Sequence, residues 1–296
     1  MNLLLALDWG SSSLRGAVLD ANGNVLKERS FSRGILTVPA GEFPTVFASC
    51  FGDWMAHADM CLIAGMAGSQ QGWVETPYCA CPAGFDDIAS KLAWVDWQGP
   101  GRIAIVPGLS IRHAGVPDVM RGEETQILGA LELLSLTDAR LVLPGTHSKW
   151  ASVEGGRIVD FSTFMTGEFY ALLRRHSILA RTMPEAEPPP DAAAFGQGVR
   201  HALAGQGLLN TAFSTRTLAL FKRLYGAALP IYLSGLVIVE EMKSQALQPR
   251  QTVLVLGADE LAARYAQALE IAGASVQKVD VGVTWLGLRA IANTLP

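Results

Sequence analysis

Asp8 closes the apolar run Leu3 to Leu7 and is followed by Trp9, Gly10, Ser11, Ser12, Ser13 and, two residues on, Arg15. An acid emerging from a buried strand beside glycine and hydroxyls can hold Mg2+ directly or through water, while loop amides and hydroxyls receive phosphate oxygens. Arg15 is placed to neutralise charge on a transferring phosphoryl group. The plainer readings are a capping aspartate and a surface arginine. A second loop of the same make, Pro144-Gly145-Thr146-His147-Ser148, follows the apolar residues Leu141 to Leu143.

A hydroxyl that attacks a γ-phosphate needs a proton acceptor within hydrogen-bond reach. The stretch GVPDVMRGEETQILGAL, residues 115–131, gathers Asp118, Arg121, Glu123 and Glu124 ahead of a helical pattern. These acids supply either that base or ordinary first-turn dipole chemistry. GMAGSQQGWVETPY, residues 65–78, sets Gln70 and Gln71 beside Trp73, amides and an aromatic that suit a polyhydroxylated ligand. In MTGEFYALLRRHSIL, residues 165–179, Thr166, Gly167 and Glu168 stand at a helix start, as ligand contacts or as a plain N-terminal cap.

Other chemistries lack their spacing. Cys50, Cys61, Cys79 and Cys81 form no CxxC pair, and the five histidines never fall at HExxH spacing. Structural thiols in a reducing compartment are expected. GxGxxG and GxxxxGK[ST] are both absent from the N-terminal unit, which removes the dinucleotide-turn and P-loop readings.

The elements that must carry these residues follow from hydrophobic pattern and turn chemistry. Leu3 to Leu7 predicts a strand buried on both faces. Leu14 to Leu19 runs into the hairpin signal Ala21-Asn22-Gly23-Asn24, so the serine loop joins two strands, and a third spans Val25 to Phe31. Residues 140–164 repeat this plan: strand, small polar loop, strand, the turn Glu154-Gly155-Gly156-Arg157, strand. Two such units predict two similar domains, each offering its own loop to one ligand. Strands are also expected over 61–67 and 103–106, with a helix over 124–135. Ile231 to Leu233 is expected as a strand leading to Ser234-Gly235 and a helix over 237–246. Residues 252–279 read as strand, helix and parallel strand, and a last helix covers 283–293. The proline-rich residues 184–192 are an exposed loop.

The chain has 296 residues, half of them hydrophobic, and 23 basic against 27 acidic side chains give a net charge of −4. No run of like charge marks a nucleic-acid or anionic-membrane surface, so the expected partner is small. Residues 1–7 lack the basic start of a signal peptide, and no segment approaches a membrane span, so the expected location is cytoplasmic.

Asp8-Trp9-Gly10-Ser11-Ser12-Ser13, Pro144 to Ser148 and Leu233-Ser234-Gly235-Leu236 resemble, in order, the two phosphate motifs and the adenosine motif of the actin-like ATPase and sugar-kinase superfamily. PDVMRGEETQILGAL, LPGTHSKW, FSTFMTGE and FSTRT together resemble the 2-dehydro-3-deoxygalactonokinase family, and the likeness extends over nearly the whole chain. The resemblance implies an α/β fold of two RNase H-like domains, mixed sheets flanked by helices, with an interdomain cleft. The expected divisions are 1–117, 118–282 and a terminal helix, 283–296, returning to the first domain. The implied activity is ATP-dependent phosphorylation of 2-dehydro-3-deoxy-D-galactonate to its 6-phosphate in galactonate breakdown, with ATP and Mg2+ as cofactors.

Carried over position by position, the resemblance makes Asp8 the Mg2+ organiser and Arg15 a holder of the phosphoryl group. Gly10, Ser11, Ser12, Ser13, Gly145, Thr146, His147 and Ser148 grip phosphates, and Ser234 and Gly235 lie against adenosine. Related sugar kinases place an Asp after a Gly as the base; Gly122-Glu123 stands there instead, so Glu123 is the expected base, with Glu124 and Asp118 as alternatives. Arg121 is the cation nearest to hand for the substrate carboxylate, with Gln70, Gln71, Trp73, Glu124 and Thr166 around the polyol. Gln70 stands where an Arg is often expected. Competing readings are a kinase for another sugar acid on the same scaffold, a non-catalytic nucleotide or sugar sensor, and an NAD-dependent enzyme built on residues 252–280. The oligomeric state stays open, a homodimer included.

Overall fold

Leu4 to Leu7 are fully buried, as a strand covered on both faces requires. In the computed structural model, which describes residues 3–295, they belong to β1 (Leu4–Trp9). Then come β2 (Leu14–Leu19), β3 (Val25–Phe31), α1 (Phe43–Met55), β4 (Met60–Gly65), β5 (Cys79–Ala80), α2 (Phe85–Ala89), β6 (Ala93–Trp94) and β7 (Arg102–Ile105). The hairpin β8 (Leu109–His113) and β9 (Val116–Met120) leads into α3 (Glu123–Leu134). The second half runs β10 (Ala139–Leu143), β11 (Ser148–Glu154), β12 (Arg157–Phe164), α4 (Thr166–His176), α5 (Ala192–Ala204), α6 (Leu208–Thr211), α7 (Ser214–Leu220) and α8 (Ala228–Lys243). It closes with β13 (Thr252–Leu256), α9 (Asp259–Ile271), β14 (Ser275–Val279) and α10 (Val283–Asn293).

The fold is α/β with mixed sheets flanked by helices. One sheet has the order β3-β2-β1-β4-β7-β6, with β1 antiparallel to β2 and parallel to β4. The second has the order β12-β11-β10-β13-β14, with β13 parallel to both β10 and β14. A small sheet, β5-β8-β9, completes the set. The four cysteines are free thiols, three of them buried. Among the described residues, no helix is long and apolar enough to cross a membrane.

The chain folds into two units, Met1–Ala139 with Ala151–Ser162 and Val281–Pro296, and Arg140–Trp150 with Thr163–Asp280. This differs from a single cut after residue 117. Residues 118–139 stay with the first unit because α3 packs on α10 backbone to backbone. A Cβ on Gly129 would come within 1.9 Å of the Val283 carbonyl oxygen, and one on Gly287 within 2.0 Å of that of Thr125. Residues 151–162 join the same unit through a bridge from Ile158 to Ala83 and a bond from Gly156 N–H to the Thr137 carbonyl. The core of the first unit gathers Leu5, Leu7, Trp9, Phe47, Phe51 and Ile63; that of the second gathers Trp150, Phe195, Tyr232, Leu236 and Tyr265.

The expected strand Ile231 to Leu233 is helix: it lies inside α8, as do Ser234 and Gly235. A helix buried nearly all round carries a continuous apolar run, which reads like a buried strand. Gly235 serves that burial. A Cβ there would stand 2.6 Å from the Phe195 carbonyl oxygen of α5, and one on Gly198 would stand 2.1 Å from that of Tyr232. Asp118, expected in the approach to a helix, lies on β9.

Candidate active site

In the first unit, Asp8 sits one residue before the end of β1, directly opposite Arg15 on β2. Arg15 Nε donates to Asp8 Oδ2 at 2.9 Å, Nη2 lies 2.9 Å from the same oxygen as an ion pair, and Nη2 donates to Thr284 Oγ1 at 3.2 Å. The guanidinium lies 5.2 Å from the centre of the Trp285 ring. The serine loop is closed by Gly10 N–H on the Ser13 carbonyl and braced by Ile35 N–H on the Gly10 carbonyl, at 2.9 and 3.0 Å. Trp9 Nε1 ties it to the Arg33 carbonyl at 2.9 Å. With the backbone anchored so, Ser11, Ser12 and Ser13 stay exposed.

Asp8 and Gly122, the residue before α3, both come up against Gly65, the last residue of β4. A Cβ on Gly65 would stand 3.1 Å from Asp8 Oδ1, and one on Gly122 would stand 3.3 Å from Gly65 Cα. Both glycines also have positive φ, +86° and +107°, a conformation that side chains disfavour. The start of α3 is thereby set against the end of β4, the strand paired with the one that carries Asp8.

The two glutamates there differ sharply. Glu124 is fully buried, and both its carboxyl oxygens accept from Gly122 N–H, at 2.9 and 2.7 Å. Burial, and then the neighbouring charge of Glu123, push its pKa up to about 8. Glu123 is half-buried, and its Oε2 accepts from Arg121 N–H at 3.0 Å.

Arg121 is occupied. Its Nη1 donates to Thr76 Oγ1, its Nη2 to the Thr76 carbonyl at 3.0 Å, and its guanidinium lies 4.5 Å from the centre of the Tyr78 ring. The glycines of the 65–78 stretch serve this packing: a Cβ on Gly68 would collide with Thr76 Oγ1 and Arg121 Nη1 at 2.5 and 2.6 Å. Gln70 and Gln71 line a cavity of about 560 Å3 with Trp73, and Ile35, Val38 and Phe43 also bound it. Trp73 is one of a cluster of rings, 6.2 Å from Trp9 and 5.6 Å from Phe47.

In the second unit, Thr146 and His147 are exposed, and His147 Nε2 lies 2.7 Å from Glu168 Oε2. Ser148 is fully buried. Its hydroxyl donates to Glu241 Oε2 at 2.5 Å, and Thr166 Oγ1 donates to the same oxygen. Gly145, Thr146, Thr166, Gly167, Ser234 and Arg264 border a cavity of about 290 Å3. Gly235, turned against α5, does not.

A family profile described as 2-keto-3-deoxy-galactonokinase matches residues 8–291. The chain belongs to this family. The 2-dehydro-3-deoxygalactonokinase of Escherichia coli (strain K12) is 34% identical over 295 residues, 98% of each chain. A crystal structure from Sinorhizobium meliloti, described as a protein of that kind, is 35% identical, superposes with a TM-score of 0.90 and covers 98% of both chains. At 12% identity, the activator of the 2-hydroxyisocaproyl-CoA dehydratase from Clostridium difficile shares the fold alone, with a TM-score of 0.50 over 99% of this chain and 95% of that one. The fold is that of the actin-like ATPases and sugar kinases.

In this galactonokinase-family chain, three features of the site carry no motif that would flag them. Segment 35–44 lines the first cavity with mainly apolar residues. Arg264 and Tyr265, in the middle of α9, border the second. Glu241 follows Glu240 near the end of an apolar helix, where the pair reads as an ordinary polar terminus. Among the described residues no three His, Cys, Asp or Glu side chains gather as a metal-binding group, and Asp8 is the carboxylate beside the serine loop that could hold a metal. That fits Mg2+, which keeps waters and takes one or two carboxylates plus substrate phosphates.

Proposed function

We propose that this chain transfers the γ-phosphoryl group of ATP to the terminal hydroxyl of 2-dehydro-3-deoxy-D-galactonate, giving the 6-phosphate. Membership of the 2-keto-3-deoxy-galactonokinase family over residues 8–291 supports the substrate. The observation that carries the chemistry is the junction at Gly65, against which Asp8 and Gly122, the residue before the acid-bearing start of α3, both come up.

Glu123 is the general base in this proposal. It is half-buried, so its carboxylate can meet a hydroxyl, whereas Glu124 is sealed from substrate, its pKa pushed up to about 8 by burial and the charge of Glu123. Asp8 holds Mg2+, which would offset charge on the phosphates. Arg15, spent on Asp8 and Thr284, acts by fixing the Asp8 carboxylate. The serines Ser11 to Ser13 and the loop residues Gly145 to His147 receive phosphate oxygens, and Ser234 lies beside the nucleoside. Gln70 and Gln71 contact the polyol. Arg121, with both Nη groups on Thr76, acts by holding the 68–78 loop in place.

A coupled ADP-release assay tests this, run on 2-dehydro-3-deoxy-D-galactonate and its gluco epimer, with and without Mg2+. Turnover of the galacto compound that depends on Mg2+ supports the proposal. ATP hydrolysis indifferent to either sugar acid sinks it.

A further inference from the structure

We infer that Glu241 is a positioning residue that clamps the 145–148 loop to the first turn of α4 and so sets the nucleotide-phosphate site of the second unit; this rests on the nucleotide reading above. Glu241 is 3% exposed, and three donors converge on its carboxyl group. Ser148 Oγ and Thr166 Oγ1 donate to Oε2, and Trp150 Nε1 donates to Oε1 at 3.0 Å. Ser148 ends the loop, Thr166 begins α4, and Trp150 is the third residue of β11. The carboxyl group, carried on α8, is thus the point at which the start of β11 and the start of α4 are fixed together.

The same joint is closed from the backbone side. Glu168 N–H donates to the Thr146 carbonyl at 3.1 Å, and a Cβ on Gly167 would stand 2.6 Å from the Gly145 carbonyl oxygen. Along α8, Ser234, Val237 and Ile238 border the cavity, and Glu241 follows at the same helical spacing. It therefore continues the stripe that faces the cavity, beneath Thr166. A carboxyl group takes all three donors on its two oxygens, whereas an amide keeps Trp150 only by turning its NH2 on Ser148 and Thr166, whose hydroxyls must then reverse to accept and lose the acceptor they now use. A buried acid is costly unless it is hydrogen-bonded this fully, and an apolar residue of similar volume would fill the space.

The test is ADP titration by calorimetry on the full-length protein, with steady-state kinetics for both substrates. Glu241→Gln should weaken ADP binding and raise the KM for ATP by about 10-fold or more, while the KM for the sugar acid stays within about 2-fold. Glu241→Leu, which fills a similar volume and offers no acceptor, should weaken ADP binding at least as much as Glu241→Gln. Should Glu241→Gln fail to fold, Thr166→Val, which removes one donor, is read in the same way. The inference is overturned if Glu241→Gln binds ADP like wild type, or if both KM values move together, as a merely structural lesion would make them. If wild type itself does not bind ADP, the nucleotide reading fails, and that outcome is distinct from a failure confined to the variant.

Discussion

Asp8 and Arg15 face each other across the β1–β2 ladder, and Arg15 closes on Asp8 Oδ2 with two nitrogens at 2.9 Å. Arg15 is itself held by Thr284 and lies near the Trp285 ring, both at the start of α10. The carboxylate proposed to hold the metal is thereby fixed on one oxygen by two nitrogens, leaving Oδ1 toward Gly65.

Asp8→Asn should lower kcat by about 10³, since it removes the proposed metal carboxylate. Arg15→Lys keeps the charge and loses the fork, and should lower kcat by about 10-fold while raising the Mg2+ concentration needed for half-maximal rate. Mg2+ titration of ADP release checks both. An Arg15→Lys enzyme with an unchanged Mg2+ profile removes Arg15 from this role.

The two adjacent glutamates should separate cleanly. Glu123→Gln should lower kcat by about 10² to 10⁴ with little change in either KM. Glu124→Gln should cost far less at pH 7, because the buried carboxyl it replaces is already mostly protonated there. Single-turnover rates at saturating substrates decide, and a reversed order moves the base to Glu124.

Stability should carry a matching pH signature. The pKa of Glu124 is raised to about 8 in the fold from an ordinary value of 4.5, so the folded chain binds more protons than the unfolded chain across that interval. Stability from this group is full below about 4.5, falls as pH rises toward 8, and is level beyond. Melting curves from about pH 5 to about pH 9 should show a steeper loss for wild type than for Glu124→Gln. Parallel profiles would mean the carboxyl is ionised in the fold.

Gly129→Ala and Gly287→Ala should each destabilise the first unit by about 3 kcal/mol or more, because the added methyl meets backbone rather than a yielding side chain. Thermal melts check this. A shift under about 1 °C would show that α3 and α10 can part without loss.

Much of this architecture is legible in the chain. Apolar runs ended by Asp8-Trp9-Gly10 and by Pro144-Gly145-Thr146 mark strand–loop–strand units, because a strand buried on both faces must be continuous and its turn must be small and polar. The failures come from elements whose burial hides their period. Ile231 to Leu233 reads as a strand because a helix packed on all sides loses the 3.6-residue alternation that would reveal it. Hairpin β8–β9 gives no sequence signal because its strands are short and largely exposed, so they carry little apolar alternation.

Residue types and local spacing sufficed to name the acids and the hydroxyl loops, and the resemblance of the motifs named the family. Which acid meets solvent, and which hydroxyl is turned inward, was settled only by packing. Ser148 is buried by a carboxylate 93 residues away, and Arg15 is fixed by a threonine 269 residues away. Local sequence sets backbone preference, but desolvation and hydrogen-bond partners depend on what the folded chain brings alongside.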